Sequence, residues 1–164
     1  MSAITKDIRI KIRSELYDVD ASLFSNDEID FDNLAVSEEN PEPEIMDINS
    51  LGKYTVDGER VSISYNESEA TGMEGSTTAV TFLSSCPEVV SMVREGLVSA
   101  TLVFESGKRH HCIYKTPFMP FEICVRTLKV ENFLLSLGLL TLDYVVEIRG
   151  AKAERTKFSM QLLN

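Results

Sequence analysis

From Lys6 to Leu16 the isoleucines at positions 8, 10 and 12 fall on one side of the chain, and Asp7, Arg9, Lys11 and Arg13 fall on the other. A period of two marks a strand with one buried face. The pattern returns at Val61, Ile63 and Tyr65 against Ser62, Ser64 and Asn66. In 139–149 it sets Leu140, Leu142, Tyr144, Val146 and Ile148 on one side, and in 156–163 it sets Phe158, Met160 and Leu162 together. Residues 44–48, 53–56, 76–83, 88–94, 97–105, 108–116 and 121–130 also read as extended. Between them lie turn signals: Asp57-Gly58, Ser84-Ser85, Glu95-Gly96, Ser106-Gly107, the Pro117–Pro120 corner and Gly150. Only 130–137 suits even a helical turn.

About ten short strands at the turn spacing of an all-β protein therefore make up the chain. No helix is available to cover a sheet face, so the sheet must close on itself or double over. Short sequential turns favour a meander. The expected fold is a closed antiparallel up-and-down β-barrel of about 8–10 strands, a single domain over residues 1–164.

Several blocks, in order, resemble the bacterial YwiB-like family, whose domain has no known function. They are Tyr65-Asn66-Glu67-Ser68-Glu69-Ala70-Thr71-Gly72-Met73-Glu74-Gly75-Ser76-Thr77-Thr78, the stretch Leu102 to His110, the run Tyr114-Lys115-Thr116-Pro117-Phe118, and Leu142 to Ile148. The resemblance implies a lipocalin-like (calycin-like) β-barrel in the cytoplasm of Gram-positive-type bacteria. It carries no catalytic residue, because that family has no established activity. Two positions depart from its pattern. Met119-Pro120 stands where the family tends to a glycine, and the largely apolar Phe133–Leu140 stands where it tends to a polar Gly-Gly turn. The chain has no Trp, so the first-strand signature of secreted lipocalins is absent.

Charge changes the picture in one region. Of the formal net charge of −10, 11 acidic residues lie between Asp18 and Ser50, with no Lys or Arg among them. The rest of the chain is close to neutral. Binding phosphates requires a concentrated basic face, so nucleic acid is not expected as a partner. The acidic stretch at about 18–43 interleaves Leu23, Phe24, Ile29, Phe31, Leu34 and Val36 with its carboxylates. It reads either as a solvated surface loop or as a linear motif that docks its apolar residues on a partner.

No apolar run approaches the ~18 residues of a membrane span, and Met1–Arg13 lacks the apolar core of a signal peptide. Cys86, Cys112 and Cys124 are an odd, sparse set, unlike a disulfide framework. These features lead to an expectation of a cytoplasmic protein.

Candidate chemistry is sparse. His110, His111, Cys112 and Cys124, with Glu122, are the densest set of metal-ligand types. They lack the close paired spacing of zinc sites, so no metal or other cofactor is expected. Glu67, Glu69 and Glu74 near the Gly72–Gly75 turn could act as paired carboxylates or simply decorate a wide hairpin. The barrel interior is the better candidate. Tyr65, Arg94, Glu105, Arg109, His111 and Tyr144 are expected to line or rim a pocket for a small polar or anionic ligand, against the alternative of salt bridges on the outer wall. Phe133, Leu134 and Leu137, in the apolar 133–140 turn, would plug the barrel or contact a second copy or protein partner. The leading reading is a non-enzymatic small-molecule binding protein. A protein-interaction module using the acidic loop and the apolar turn is the alternative, and an enzyme acting in the barrel comes third.

Overall fold

A computed structural model describes residues 3–19, 42–68, 73–148 and 153–163. Ten strands form one antiparallel sheet: β1 (Ile4–Val19), β2 (Glu44–Asp57), β3 (Arg60–Asn66), β4 (Ser76–Leu83), β5 (Cys86–Gly96), β6 (Ala100–Glu105), β7 (Arg109–Lys115), β8 (Pro120–Phe133), β9 (Leu139–Ile148) and β10 (Ala153–Leu163). Their lateral order is β6-β5-β4-β3-β2-β1-β10-β9-β8-β7. Each strand lies beside its neighbour in sequence, and β1 pairs with β10 from Arg9↔Leu163 to Val19↔Ala153. The result is a nearly closed up-and-down barrel. Most of the acidic stretch, together with Glu69 and Gly72, lies outside the described residues.

The inward set on each strand is the alternating apolar set: Ile8, Ile10 and Ile12 on β1, Val61, Ile63 and Tyr65 on β3, Leu140, Leu142 and Tyr144 on β9, and Phe158 and Met160 on β10. The stretches 44–48 and 53–56 are one continuous strand. Gly52 faces inward between β1 and β3, its two neighbours in the sheet, where the Ile10 side chain and the Ser64 carbonyl fill the space a side chain would take. A Cβ there would strike the Ile10 side chain and lie 2.5 Å from the Ser64 carbonyl oxygen. At the β2–β3 hairpin Gly58 takes φ +61°, at the first turn position, where a type II′ turn calls for glycine.

The apolar 133–140 stretch contains a single helical turn, with the Leu137 amide donating to the Phe133 carbonyl at 2.7 Å. Leu134 from that turn reaches the core and is buried.

The last gap, between β6 and β7, is closed differently. No ladder joins these strands. At one end Ser99 and Lys115 exchange backbone hydrogen bonds of 2.9 and 2.8 Å. At the other end the β6–β7 turn uses the edge of β8 beyond Arg126, where β7 stops. The Gly107 amide donates to the Thr127 carbonyl, the Thr127 amide to the Lys108 carbonyl, and the Val130 amide to Ser106 Oγ. A bulge in β8 between Thr127 and Lys129 lies at that point. Between these two pins the seam is a slot.

Candidate functional site

The inner wall next to the slot carries a row of polar side chains, whereas the inward face elsewhere is mostly apolar, with Ser14 and Thr156 buried among it. Register places them in one lateral row: Tyr65 opposite Thr78, Thr78 opposite Arg94, and Arg94 opposite Ala100 at the edge of the slot. Arg94 follows Val90 and Met92 on the inward parity of β5. Residues opposed in this way bring their Cβ atoms to about 5 Å. Thr78 is fully buried and donates to Glu67 Oε1 at 2.6 Å, and Glu67 is itself buried just beyond the end of β3. Tyr144 packs against Phe104 with ring centroids 4.6 Å apart.

Charge in this row is poorly compensated. Arg94 Nε is buried without a hydrogen-bond partner, and Nη2 rests 3.3 Å from the Met92 sulfur, a weak acceptor. Among the described residues neither Arg94 nor Glu67 belongs to an ion pair. Burial pushes the Tyr65 hydroxyl well above its ordinary pKa, the Glu67 charge adds to that, and the Arg94 charge opposes it. Burial likewise raises Tyr144 and the Cys112 thiol, again against the pull of Arg94. The guanidinium thus acts on three neighbours, all of which stay protonated at neutral pH. None of them can serve as its counter-ion.

A cleft of about 290 Å³ opens along the seam, and its lining includes Arg94, Ser99, Ala100, Cys112 and Lys115. Ala100, the β6 partner of Arg94, and Cys112 of β7 both line this opening, which Glu95 lines as well. A second cleft of about 290 Å³ lies at Lys6–Arg9, Leu51 and Leu163, away from the polar row.

The six sequence-level candidates divide into two groups. Tyr65, Arg94 and Tyr144 meet inside the barrel. Glu105, Arg109 and His111 alternate with the inward Phe104, His110 and Cys112 and therefore lie on the outer face. None of Arg109, His111 and Cys124 is without a partner, and His111 Nε2 is 3.9 Å from Cys124 Sγ. Glu105 lies 3.9 Å from His110 Nε2, too far for a hydrogen bond. No group of three or more His, Cys, Asp or Glu side chains suited to a metal ion forms among the described residues. At the far end of the barrel Phe133 and Leu137 are exposed, whereas Leu134 is buried. No helix among the described residues is long and apolar enough to cross a membrane.

Cys112 and Lys115 were not among the ligand-binding candidates, since nothing in the sequence shows that β6 and β7 fail to pair. The cue available was the apolar run 97–105, which lacks the alternation that would have fixed its register.

Residues 29–160 match the family described as "Domain of unknown function (DUF1934)", and the chain belongs to that family. Among solved structures, the crystal structure of the YwiB protein from Bacillus subtilis is similar, with 17% identity and a TM-score of 0.68 over 98% of this chain and 94% of that one. At that identity the likeness speaks for the fold alone. No curated protein matches the chain.

Proposed function

We propose that this DUF1934 barrel is a non-enzymatic binding protein for a small polar or anionic molecule, taken up through the β6–β7 slot onto Arg94. One observation carries the reading: a guanidinium on the inner wall whose Nε is buried without a hydrogen-bond partner and which joins no ion pair among the described residues, next to an open cleft lined by Lys115 and Ser99 as well as by Glu95. A buried charge is costly unless paired, and an incoming anion would supply the missing partner. Tyr65 and Tyr144 would remain neutral beside that anion, able to donate hydrogen bonds without repelling it. Arrangement and size fit the lipocalin-like reading of the sequence, in which a small barrel holds one small ligand. The site lacks a nucleophile–base pair at hydrogen-bonding distance among the described residues, so binding is favoured over catalysis.

The test is native mass spectrometry of gently purified protein, with Arg94→Met alongside. A stoichiometric excess mass on the wild type that Arg94→Met lacks is expected. An excess mass retained by Arg94→Met would overturn the assignment to Arg94. If neither protein carries extra mass, and a panel of mono- and dicarboxylates and phosphates raises the melting temperature of neither, the binding reading itself fails.

A second reading is supported at the opposite end, where Leu137 is 72% and Leu135 53% exposed beside Phe133. Contact there with a second copy would appear as self-association that Leu137→Ser abolishes in sedimentation velocity.

A further inference from the structure

The seam cleft carries more charge than Arg94 alone, because Glu95 and Lys115 border it too. Among the described residues none of these three side chains joins an ion pair, although Arg13–Asp47 and Arg155–Asp143 pair elsewhere on the outer wall. Glu95 and Ser99 lie one step beyond the Arg94↔Ala100 pair, and Ser99 is bridged to Lys115. Glu95, Ser99 and Lys115 thus form a row across the ends of β5, β6 and β7. The small serine stands in the middle, and two strand spacings, about 10 Å, separate the two charged residues.

Alternation puts this row on the outer side of the wall and Arg94 on the inner side. The cleft takes its lining from both sides. Ala100 and Cys112 hold inward positions, while Thr101 and Ile113 hold outward ones. It therefore reaches from the outer surface into the seam, with Val93, Ala100 and Ile113 as its apolar part. At about 290 Å³ it stands at the small end of ligand pockets.

We propose that the ligand of this cleft is a small amino dicarboxylate, with one acid group on Arg94, the second on Lys115 and the ammonium on Glu95. This inference rests on the reading of the seam as a binding site and adds the class of molecule. Two cations and one carboxylate without partners are complemented by two acid groups and one ammonium. A plain dicarboxylate would leave Glu95 facing an anion, and a neutral amino acid would leave one of the cations unpaired. A guanidinium can take a carboxylate through two parallel N–H donors, which would give the buried Nε of Arg94 the acceptor it lacks. The short aliphatic stem would lie on Val93, Ala100 and Ile113.

Isothermal titration calorimetry of the dialysed protein with L-glutamate, glutarate and L-2-aminobutyrate separates the three contacts. Glutarate lacks the ammonium, and 2-aminobutyrate lacks the second acid group. Glutamate is expected to bind about three- to fivefold tighter than either, the effect of one exposed charge pair. Glu95→Gln should erase the advantage over glutarate only, and Lys115→Met the advantage over 2-aminobutyrate only. Arg94→Met should weaken all three by about tenfold or more. Glu95 and Lys115 are exposed, so unchanged melting temperatures are expected for their variants. Glutarate binding as tightly as glutamate, with both weakened by Arg94→Met, would overturn the inference and leave the binding reading intact. Equal weakening of all three probes by Glu95→Gln and Lys115→Met would overturn it as well, since that reports only the general field of the cleft. If none of the three binds, the inference fails. An excess mass that Arg94→Met loses in native mass spectrometry would then uphold the binding reading for another ligand, and its absence would sink both.

Discussion

The barrel closes twice, by unlike means. Where its first and last strands meet, β1 and β10 share an unbroken ladder over the length of β10, backed by Ile10, Ile12, Phe158 and Met160. Between β6 and β7, two strands adjacent in sequence, one bridge and one borrowed turn do the work. Side chains at the first closure are apolar and buried, while those at the second include Arg94 and Cys112. The continuous ladder is concentrated in one seam and the polar side chains in the other, so the second is expected to open at lower cost than the first.

The comparison breaks most visibly at Gly52. Replacing it with valine sets a side chain against Ile10 and the Ser64 carbonyl, which β3 cannot vacate without leaving its register. Gly52→Val is expected to cost about 3 kcal/mol or more, read by urea denaturation. Arg94→Met should act in the opposite direction. Removing a half-buried guanidinium whose Nε is buried without a hydrogen-bond partner is expected to stabilise the ligand-free protein by about 1 kcal/mol in the same assay. Destabilisation there would show that Arg94 is structurally satisfied.

At the second seam, Ser99→Pro removes the amide that donates to Lys115. The expected loss is about 1 kcal/mol, with hydrogen exchange rising in β6 and β7 while β1 and β10 keep their protection.

The smallest effect belongs to Glu154, half-buried on β10, whose carboxyl burial holds above its ordinary pKa, helped by the charges of Asp18 and Glu44. An acid with a raised folded pKa destabilises the fold once pH climbs past the ordinary carboxyl range, and costs nothing below it. Glu154→Gln should therefore raise Tm by about 2 °C at neutral pH and lose that gain as pH falls below the ordinary glutamate pKa.

How much of this was legible beforehand varies by strand. Ile8, Ile10 and Ile12 announced both the strand and its buried face, since the opposite set was charged. In β7 the sequence Arg109-His110-His111-Cys112 offers two faces of similar polarity, and nothing local chooses between them. That is why Arg109 and His111 were grouped with Arg94 and now lie on the other side of the wall from it. Glycine at position 52 gave no sign of its role, because the Ile10 side chain and Ser64 carbonyl that crowd it come from two other strands of the folded sheet. Likewise the burial of Cys124 and Val145, each next in sequence to a core residue, looks in sequence like ordinary strand interior.

Alternation and turn residues, which act within a few positions, determined by themselves that this chain is all-β, that its strands follow one another as a meander, and roughly where each begins. Which face of an ambiguous strand turns inward, which neighbours fail to pair, and which charge is left without a partner were decided only in the tertiary structure. Those outcomes depend on how ten strands share one closed surface, and no segment carries that constraint alone.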